Sequence, residues 1–226
     1  MDASGVDRRG ELMRQVHQGV IMPRDPKLVV AHGYDVVAGT YLARHGQSVV
    51  RDRWLREMIA RLPDAARVLD LGCGAGVPVA HRLAGRGFDV VGVDGSVEQI
   101  KRAGQNVPDA EFVHGDMTAV SFLPRSFDGV AAFYSITHVP REEHAKLLRR
   151  IAHWLKPDGL FIASLGSGEC ANWVGEWLGT EMFFSHYDAS TNERLVREAG
   201  FNIELAELVD QDNDDGRFLW VIARRH

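Results

Sequence analysis

The sequence predicts an α/β protein: a mostly parallel sheet with helices on both faces and a helical cover at its N-terminal end. Three observations carry this. From about Arg67 onward, short β-branched runs alternate with helical patterns; the first run ends in a glycine-rich loop; the last two runs follow one another with no helix between them. Strands buried on both faces and separated by helices imply a parallel sheet with right-handed crossovers. Two runs joined by a short turn imply an antiparallel pair.

Residues 1–45 show no strand pattern and read as helices and loops packed over one edge of the sheet; residues 46–226 read as one domain with an insertion at 166–188. Val50, Trp54, Leu55, Met58, Ile59 and Leu62 recur at helical spacing, and that helix must stop before Pro63. The first strand is Val68-Leu69-Asp70-Leu71 and the second runs from Phe88 through Asp94. Glu111-Phe112-Val113-His114 is the third, residues 127–134 the fourth, and Leu160-Phe161-Ile162-Ala163-Ser164 the fifth. Leu147, Leu148, Ile151, Ala152 and Leu155 place a helix between the fourth and fifth. Ser96 with Gln99, and Ser190 with Glu193, have capping-box spacing, and Gly200 offers a left-handed stop to the second of these helices. Residues 201–209 and 218–223 close the chain as a hairpin. Its acidic turn, Asp210 to Gly216, is no calcium loop, since the glycine sits one place late and the twelfth position is Val221.

Composition sets the function classes aside one by one. Apolar residues make up 45% and charged ones 25%, ordinary usage for a globular domain. No stretch approaches the ~18 apolar residues of a membrane span, and no apolar run follows the arginines near the start, so neither a leader nor an anchor is expected. Net charge is −5 with both signs scattered, which speaks against a nucleic-acid partner. Two cysteines, Cys73 and Cys170, stand far apart without metal-site spacing. A disulfide scaffold and a metal site are therefore not expected, and a reducing cytoplasm is.

The most informative stretch is Val68-Leu69-Asp70-Leu71-Gly72-Cys73-Gly74-Ala75-Gly76, which ends a strand and opens a helix. Glycines there let backbone pass close to a ligand, and the helix start offers free N–H groups. The second strand ends in Asp94, where doubly wound folds place an acid on ribose hydroxyls. Gly115-Asp116-Met117 follows the third strand, where an acid and an apolar side chain would frame an adenine. Ser126-Phe127-Asp128 introduces the fourth, and Leu155-Lys156-Pro157-Asp158-Gly159 the fifth. Each has a plainer reading as a cap or turn; five in the right order do not.

In these residues the chain resembles the class I S-adenosylmethionine-dependent methyltransferases, from about Tyr34 to the C-terminus, with the glycine-loop motif nearly complete. The resemblance implies a Rossmann-like seven-stranded sheet of order 3-2-1-4-5-7-6, its last strand antiparallel, and S-adenosyl-L-methionine as cofactor. It also implies that Asp70, Gly72, Cys73 and Gly74 lie at the methionine part, and that Asp94 with Gly95 takes the ribose. Asp116 and Met117 would meet the adenine, the backbone near Phe133 the methionine amine, and Tyr34 would close over the cofactor. The Asn/Asp-Pro-Pro-Tyr/Phe motif used on nucleobase and amide nitrogens is missing; Phe133-Tyr134-Ser135-Ile136 stands in its place. A small-molecule acceptor is therefore expected, its accepting atom open. Two rivals stay open: a nicotinamide-dependent reductase, whose Gly-x-Gly-x-x-Gly fingerprint fails at Val77, and a non-catalytic relative that binds the cofactor.

A general base is needed if the acceptor must shed a proton. His138, just past the fourth strand, is one candidate, and a structural imidazole packed under the cofactor is the other reading of it. His186 and Tyr187, in the aromatic stretch Phe183-Phe184-Ser185-His186-Tyr187-Asp188, are further candidates. Trp173 and Trp177 in the insertion are spaced to share a helical face, as core or as a substrate-facing wall.

Overall fold

A computed structural model describes residues 25–212 and 216–226. The predicted cover before residue 25 and the tip of the last hairpin at 213–215 lie outside them. In chain order the elements are α1 (Pro26–His45), α2 (Val49–Arg61), β1 (Arg67–Leu71), α3 (Val79–Ala84), β2 (Asp89–Asp94), α4 (Val97–Asn106) and β3 (Glu111–His114). There follow β4 (Phe127–Ala132), a 3-10 turn (Ile136–His138), α5 (Arg141–Trp154), β5 (Leu155–Gly166), β6 (Cys170–Trp177) and β7 (Thr180–His186). The chain ends with α6 (Ala189–Glu198), β8 (Phe201–Asp210) and β9 (Arg217–Arg225).

Seven strands form one sheet in the order β3-β2-β1-β4-β5-β9-β8, parallel except for β9, which runs antiparallel to both neighbours. With β6 and β7 set aside, this is the predicted order. Alternation along β1 explains the two-sided core. Leu69 and Leu71 pack with Leu147, Leu148 and Ile151 of α5 on one face. Val68 packs with Trp54, Leu55 and Met58 of α2 and with Trp220 on the other, where the Trp54 and Trp220 rings stack at 5.2 Å. Asp70 shares the parity of Val68 and so sits on the face covered by α2.

Three expectations are corrected. Residues 170–186 form no helix but the two-stranded hairpin β6–β7, pairing Trp173 with Phe184 and Trp177 with Thr180. A separation of four residues places Trp173 and Trp177 on one face of a strand as well as of a helix. Leu178 and Gly179, both at positive φ (51° and 84°), make the tight turn that decides between them. Helix α6 is capped by Asp188, whose carboxylate accepts from Thr191 N–H at 2.7 Å; Ser190 instead donates to that carboxylate. A carboxylate two residues earlier displaces the hydroxyl, because it is the stronger acceptor for free N–H groups. Finally, α1 lies across the carboxyl ends of β2 and β3 and against β7 instead of along a sheet edge. Lys27 reaches Asp116, Asp35 reaches Ser96, and a Cβ on Gly33 would touch Met182.

Candidate functional site

The site begins where β1 ends. Gly72 has φ +77°, and a Cβ there would lie 2.3 Å from Cβ of Ser135, so only glycine fits. The Gly72 and Cys73 N–H groups both donate to the Val93 carbonyl (2.8 and 3.0 Å), tying the loop to β2. The Cys73 thiol lies buried beside Gly92, and burial pushes its pKa well up, so Cys73 offers backbone and not a reactive sulfur. Asp94 accepts from Gly74 N–H on one oxygen and from Ser96 N–H on the other, both at 2.9 Å. Burial raises its pKa against those two hydrogen bonds. Asp116 accepts from Thr118 N–H at 2.8 Å and pairs with Lys27 at 3.0 Å. Burial opposes its ionisation, but these donors outweigh burial and hold its pKa below the usual carboxylate range. Phe133 sends its ring to Trp220, centroids 4.9 Å apart. Tyr34, Gly72, Gly74, Asp94, Gly95, Asp116, Met117 and Phe133 all line one cavity of about 290 Å³.

Asp70 and Cys73 line an adjoining space of about 50 Å³ at the glycine loop. Three buried polar groups face it without hydrogen-bond partners among the described residues: Asp70 Oδ2, the Gln99 carboxamide and Arg51 Nε. Burial, with the charge of Asp94, lifts the Asp70 pKa to about 7, and Arg51 only partly opposes this. Buried groups of this kind are normally satisfied. A zwitterionic amino acid would satisfy them, its ammonium on Asp70 and its carboxylate on Arg51, so the residues fit the methionine end of S-adenosylmethionine. Sequence reasoning missed Arg51, which looks like one more surface arginine of α2. It saw Gln99 only as half of a capping box. Ser96 does cap α4, accepting from Gln99 N–H at 3.1 Å, but Ser96 N–H already donates to Asp94 and the Gln99 side chain turns into the cavity.

Tyr134, also missed, follows β4 in the left-handed region (φ 58°) and lines both of these spaces and a third beside Tyr34 and His138. Its N–H donates to Ser164 Oγ at 2.6 Å, which helps hold an unfavourable conformation at the mouth of the site. His138 sits beside it. Its Nδ1 lies 2.8 Å from the Phe183 carbonyl, which only accepts, so Nδ1 carries the proton. Nε2 then accepts from the Tyr34 hydroxyl at 2.9 Å. Burial lowers the His138 pKa to about 4, the Phe183 bond only partly opposing, and burial keeps Tyr34 protonated. His186 and Tyr187 do not join them. His186 Nδ1 meets the Gly168 carbonyl at 2.7 Å, and Tyr187 packs beneath the Arg141 guanidinium. Both stand at the base of the β6–β7 hairpin, whereas its tip carries Trp177 to a second cavity of about 100 Å³ beside Tyr34 and His138. Among the described residues, no group of three or more His, Cys, Asp or Glu side chains could hold a metal ion.

Comparison with known proteins agrees with this geometry. The family model described as a methyltransferase domain matches residues 68–159. The uncharacterized methyltransferase sll0829 of Synechocystis sp. is 30% identical over 160 residues, covering 71% of this chain and 69% of that protein. The 27-O-demethylrifamycin SV methyltransferase of Amycolatopsis mediterranei is 27% identical over 215 residues, 80% and 76% of the two chains. Of other curated relatives the chain spans only about half the length, 49% and 47% for two of them. The Burkholderia thailandensis 1,6-didemethyltoxoflavin-N1-methyltransferase, solved with 1,6-didemethyltoxoflavin and S-adenosylhomocysteine, shares the fold. Its TM-score is 0.68 at 18% identity, over 100% of this chain and 93% of that one. Sheet order, glycine loop and sequence kinship together define a class I S-adenosylmethionine-dependent methyltransferase, and this chain belongs to that family.

Proposed function

We propose that this protein transfers a methyl group from S-adenosylmethionine to a small-molecule acceptor. The observation that carries the reading is one continuous line of polar groups along the carboxyl ends of β1, β2 and β3. It runs from Asp70 Oδ2, the Gln99 carboxamide and Arg51 Nε, whose Nη2 is held by the His45 and Gly46 carbonyls, past Asp94, to Asp116 and Met117. On this reading Asp70, Arg51 and the Gly72–Cys73–Gly74 backbone hold the amino acid end, with Phe133 beside it. Asp94 and Gly95 take the ribose, and Asp116 and Met117 the adenine. When bound, the cofactor supplies an electrophilic methyl on a sulfonium, and transfer is an in-line displacement that rests on alignment. The test is calorimetry with S-adenosylhomocysteine and with NAD. We expect micromolar or tighter binding of the first, about −8 kcal/mol; tight NAD binding with no response to S-adenosylhomocysteine would overturn the assignment in favour of a reductase.

Support for a small acceptor comes from the net charge of −5, the missing Asn/Asp-Pro-Pro-Tyr/Phe motif and the modest second cavity. No helix among the described residues is long and apolar enough to cross a membrane. Cys73 and Cys170 are unpaired, which supports a reducing cytoplasm.

His138 is the base in this reading, acting through Tyr34. Its Nε2 is occupied by the Tyr34 hydroxyl, so an acceptor proton passes to Tyr34 Oη while Tyr34's own proton passes to Nε2. Burial keeps the imidazole neutral beforehand. The imidazolium that forms stands in for the positive charge lost at the donor, so the charge of the site is unchanged. For an acceptor that sheds a proton, His138→Ala and Tyr34→Phe should each lower turnover about 100-fold. Affinity for S-adenosylhomocysteine should stay within about threefold. Loss of that affinity in either variant would make the pair a support for the cofactor.

We read residues 1–45 as a cover over the 46–226 domain, closed by α1. Asp35 accepts from Ser96 Oγ–H (2.6 Å) and from Glu98 N–H (3.0 Å), so a lid residue caps helix α4. Losing a cap costs about 1 kcal/mol. Asp35→Ala should therefore speed limited proteolysis up to Gly39 about fivefold, and S-adenosylhomocysteine should slow cleavage of the unmodified protein. Digestion patterns indifferent to both would remove the lid.

A further inference from the structure

We propose that the acceptor is a single hydroxylated aromatic ring, lodged in the second cavity among Tyr34, Trp177, Phe184 and Phe218 with its hydroxyl directed at the Tyr34–His138 pair. This rests on the methyltransferase reading and names its substrate class. Size comes first. The cavity measures about 100 Å³ and shares Tyr34, Tyr134 and His138 with the larger cofactor-side cavity. It is smaller than the ~150 Å³ apolar space that accommodates benzene, so one ring is the most it takes, with the hydroxyl edge reaching into the shared boundary.

The walls come second. Tyr34 and Trp177 stand at 65° with centroids 5.9 Å apart, Trp177 and Phe184 at 79° and 6.0 Å, His138 and Phe184 at 41° and 4.5 Å. Such inclined faces and edges suit a planar ring packed edge to face. Ring-walled cavities also attract cations, but the two charged groups of this wall are of opposite sign. Asp212, the carboxylate of this wall among the described residues, already accepts from Ser48 Oγ–H (2.7 Å) and Val49 N–H at the start of α2. The Arg51 guanidinium lines the same cavity. The Gln211 carboxamide is occupied by Tyr134 Oη–H and the Val209 carbonyl.

Hydrogen-bond polarity comes third. The Tyr34 proton points to His138 Nε2, which leaves the Tyr34 oxygen as an acceptor at the boundary of the two cavities. A ligand there must present a donor, and a phenolic hydroxyl is a donor that is also methylated. As the ring oxygen bonds to the methyl carbon, the C–S bond breaks and its electron pair stays on sulfur as the neutral thioether. The hydroxyl proton goes to Tyr34 Oη and the Tyr34 proton to His138 Nε2. The products are the aryl methyl ether, S-adenosylhomocysteine and the His138 imidazolium.

The test uses the full chain saturated with S-adenosylhomocysteine, titrated with phenol, anisole, cyclohexanol and tetramethylammonium while tryptophan fluorescence and ligand NMR are followed. Phenol should bind at least tenfold more tightly than the other three, and Trp177→Ala should weaken it tenfold or more while leaving S-adenosylhomocysteine affinity unchanged. Trp177→Phe, which keeps a ring in the wall, should restore most of the phenol binding. With S-adenosylmethionine, phenol should yield anisole. Phenol binding no better than anisole or cyclohexanol removes the hydroxyl requirement, and preference for tetramethylammonium makes the cavity a cation site; either overturns the proposal. Failure of S-adenosylhomocysteine itself to bind would strike the methyltransferase reading, which the first titration measures separately.

Discussion

Asp94→Ala is expected to weaken S-adenosylhomocysteine binding more than a hundredfold, about 3 kcal/mol. Three losses add up. On the proposed reading the ribose hydroxyls lose a charged acceptor, alone worth roughly 1.5–3 kcal/mol. Gly74 N–H loses the carboxylate that holds the glycine loop in place, and Ser96 N–H loses its partner at the start of α4. Asp94→Asn keeps one acceptor oxygen and should fall between wild type and alanine. Calorimetry reads the series directly. An alanine variant binding within threefold of wild type would mean that this carboxylate does not hold the ligand.

Asp70→Asn should do the opposite to the protein than to its ligand, stabilising the empty chain while weakening binding. The folded-state pKa of about 7 lies above the ordinary 3.8. Between those values the folded state binds more protons than the unfolded one, so stability falls as pH rises through this window and stays low above it. Each unit is worth about 1.4 kcal/mol. The plateau cost of the buried charge is thus about 4 kcal/mol at most, relieved in the Asn variant. Denaturant melts should show the variant's advantage growing from pH 4 to pH 7 and levelling off at pH 8. His138 works in the reverse sense: with its pKa lowered to about 4, wild type loses stability as pH falls from about 6.5 to 4. A variant advantage that stays the same at every pH would show that Asp70 is not the titrating group.

The glycine loop, Asp94, Asp116 and the sheet order were legible because each is local: a turn needing positive φ, an acid at a strand end, an apolar run of fixed parity. Arg51, Gln99 and Tyr134 were not, because their importance comes from what the fold does to them. Arg51 is ordinary on its helix until α2 packs over Asp70. Gln99 looks committed to a cap until Asp94 takes its place. The hairpin at 170–186 was misread as a helix because four-residue spacing serves both periods, and only the Leu178-Gly179 turn distinguishes them. His186 and Tyr187 lie at the base of the β6–β7 hairpin, one strand length from the second cavity, a distance that pairing register sets and composition does not.

Lys27 of α1 holds the same carboxylate, Asp116, that is proposed to read the adenine amino group, and Lys27 also reaches Glu143 at 3.2 Å. Occupancy and closure then share one anion, and thermodynamics makes their coupling reciprocal. Whatever factor the docked helix adds to cofactor affinity, the cofactor must add to docking. Because the shared contact is a half-exposed ion pair, that factor weakens as salt rises. On the proposed reading, release of the spent cofactor is then expected to depend on ionic strength.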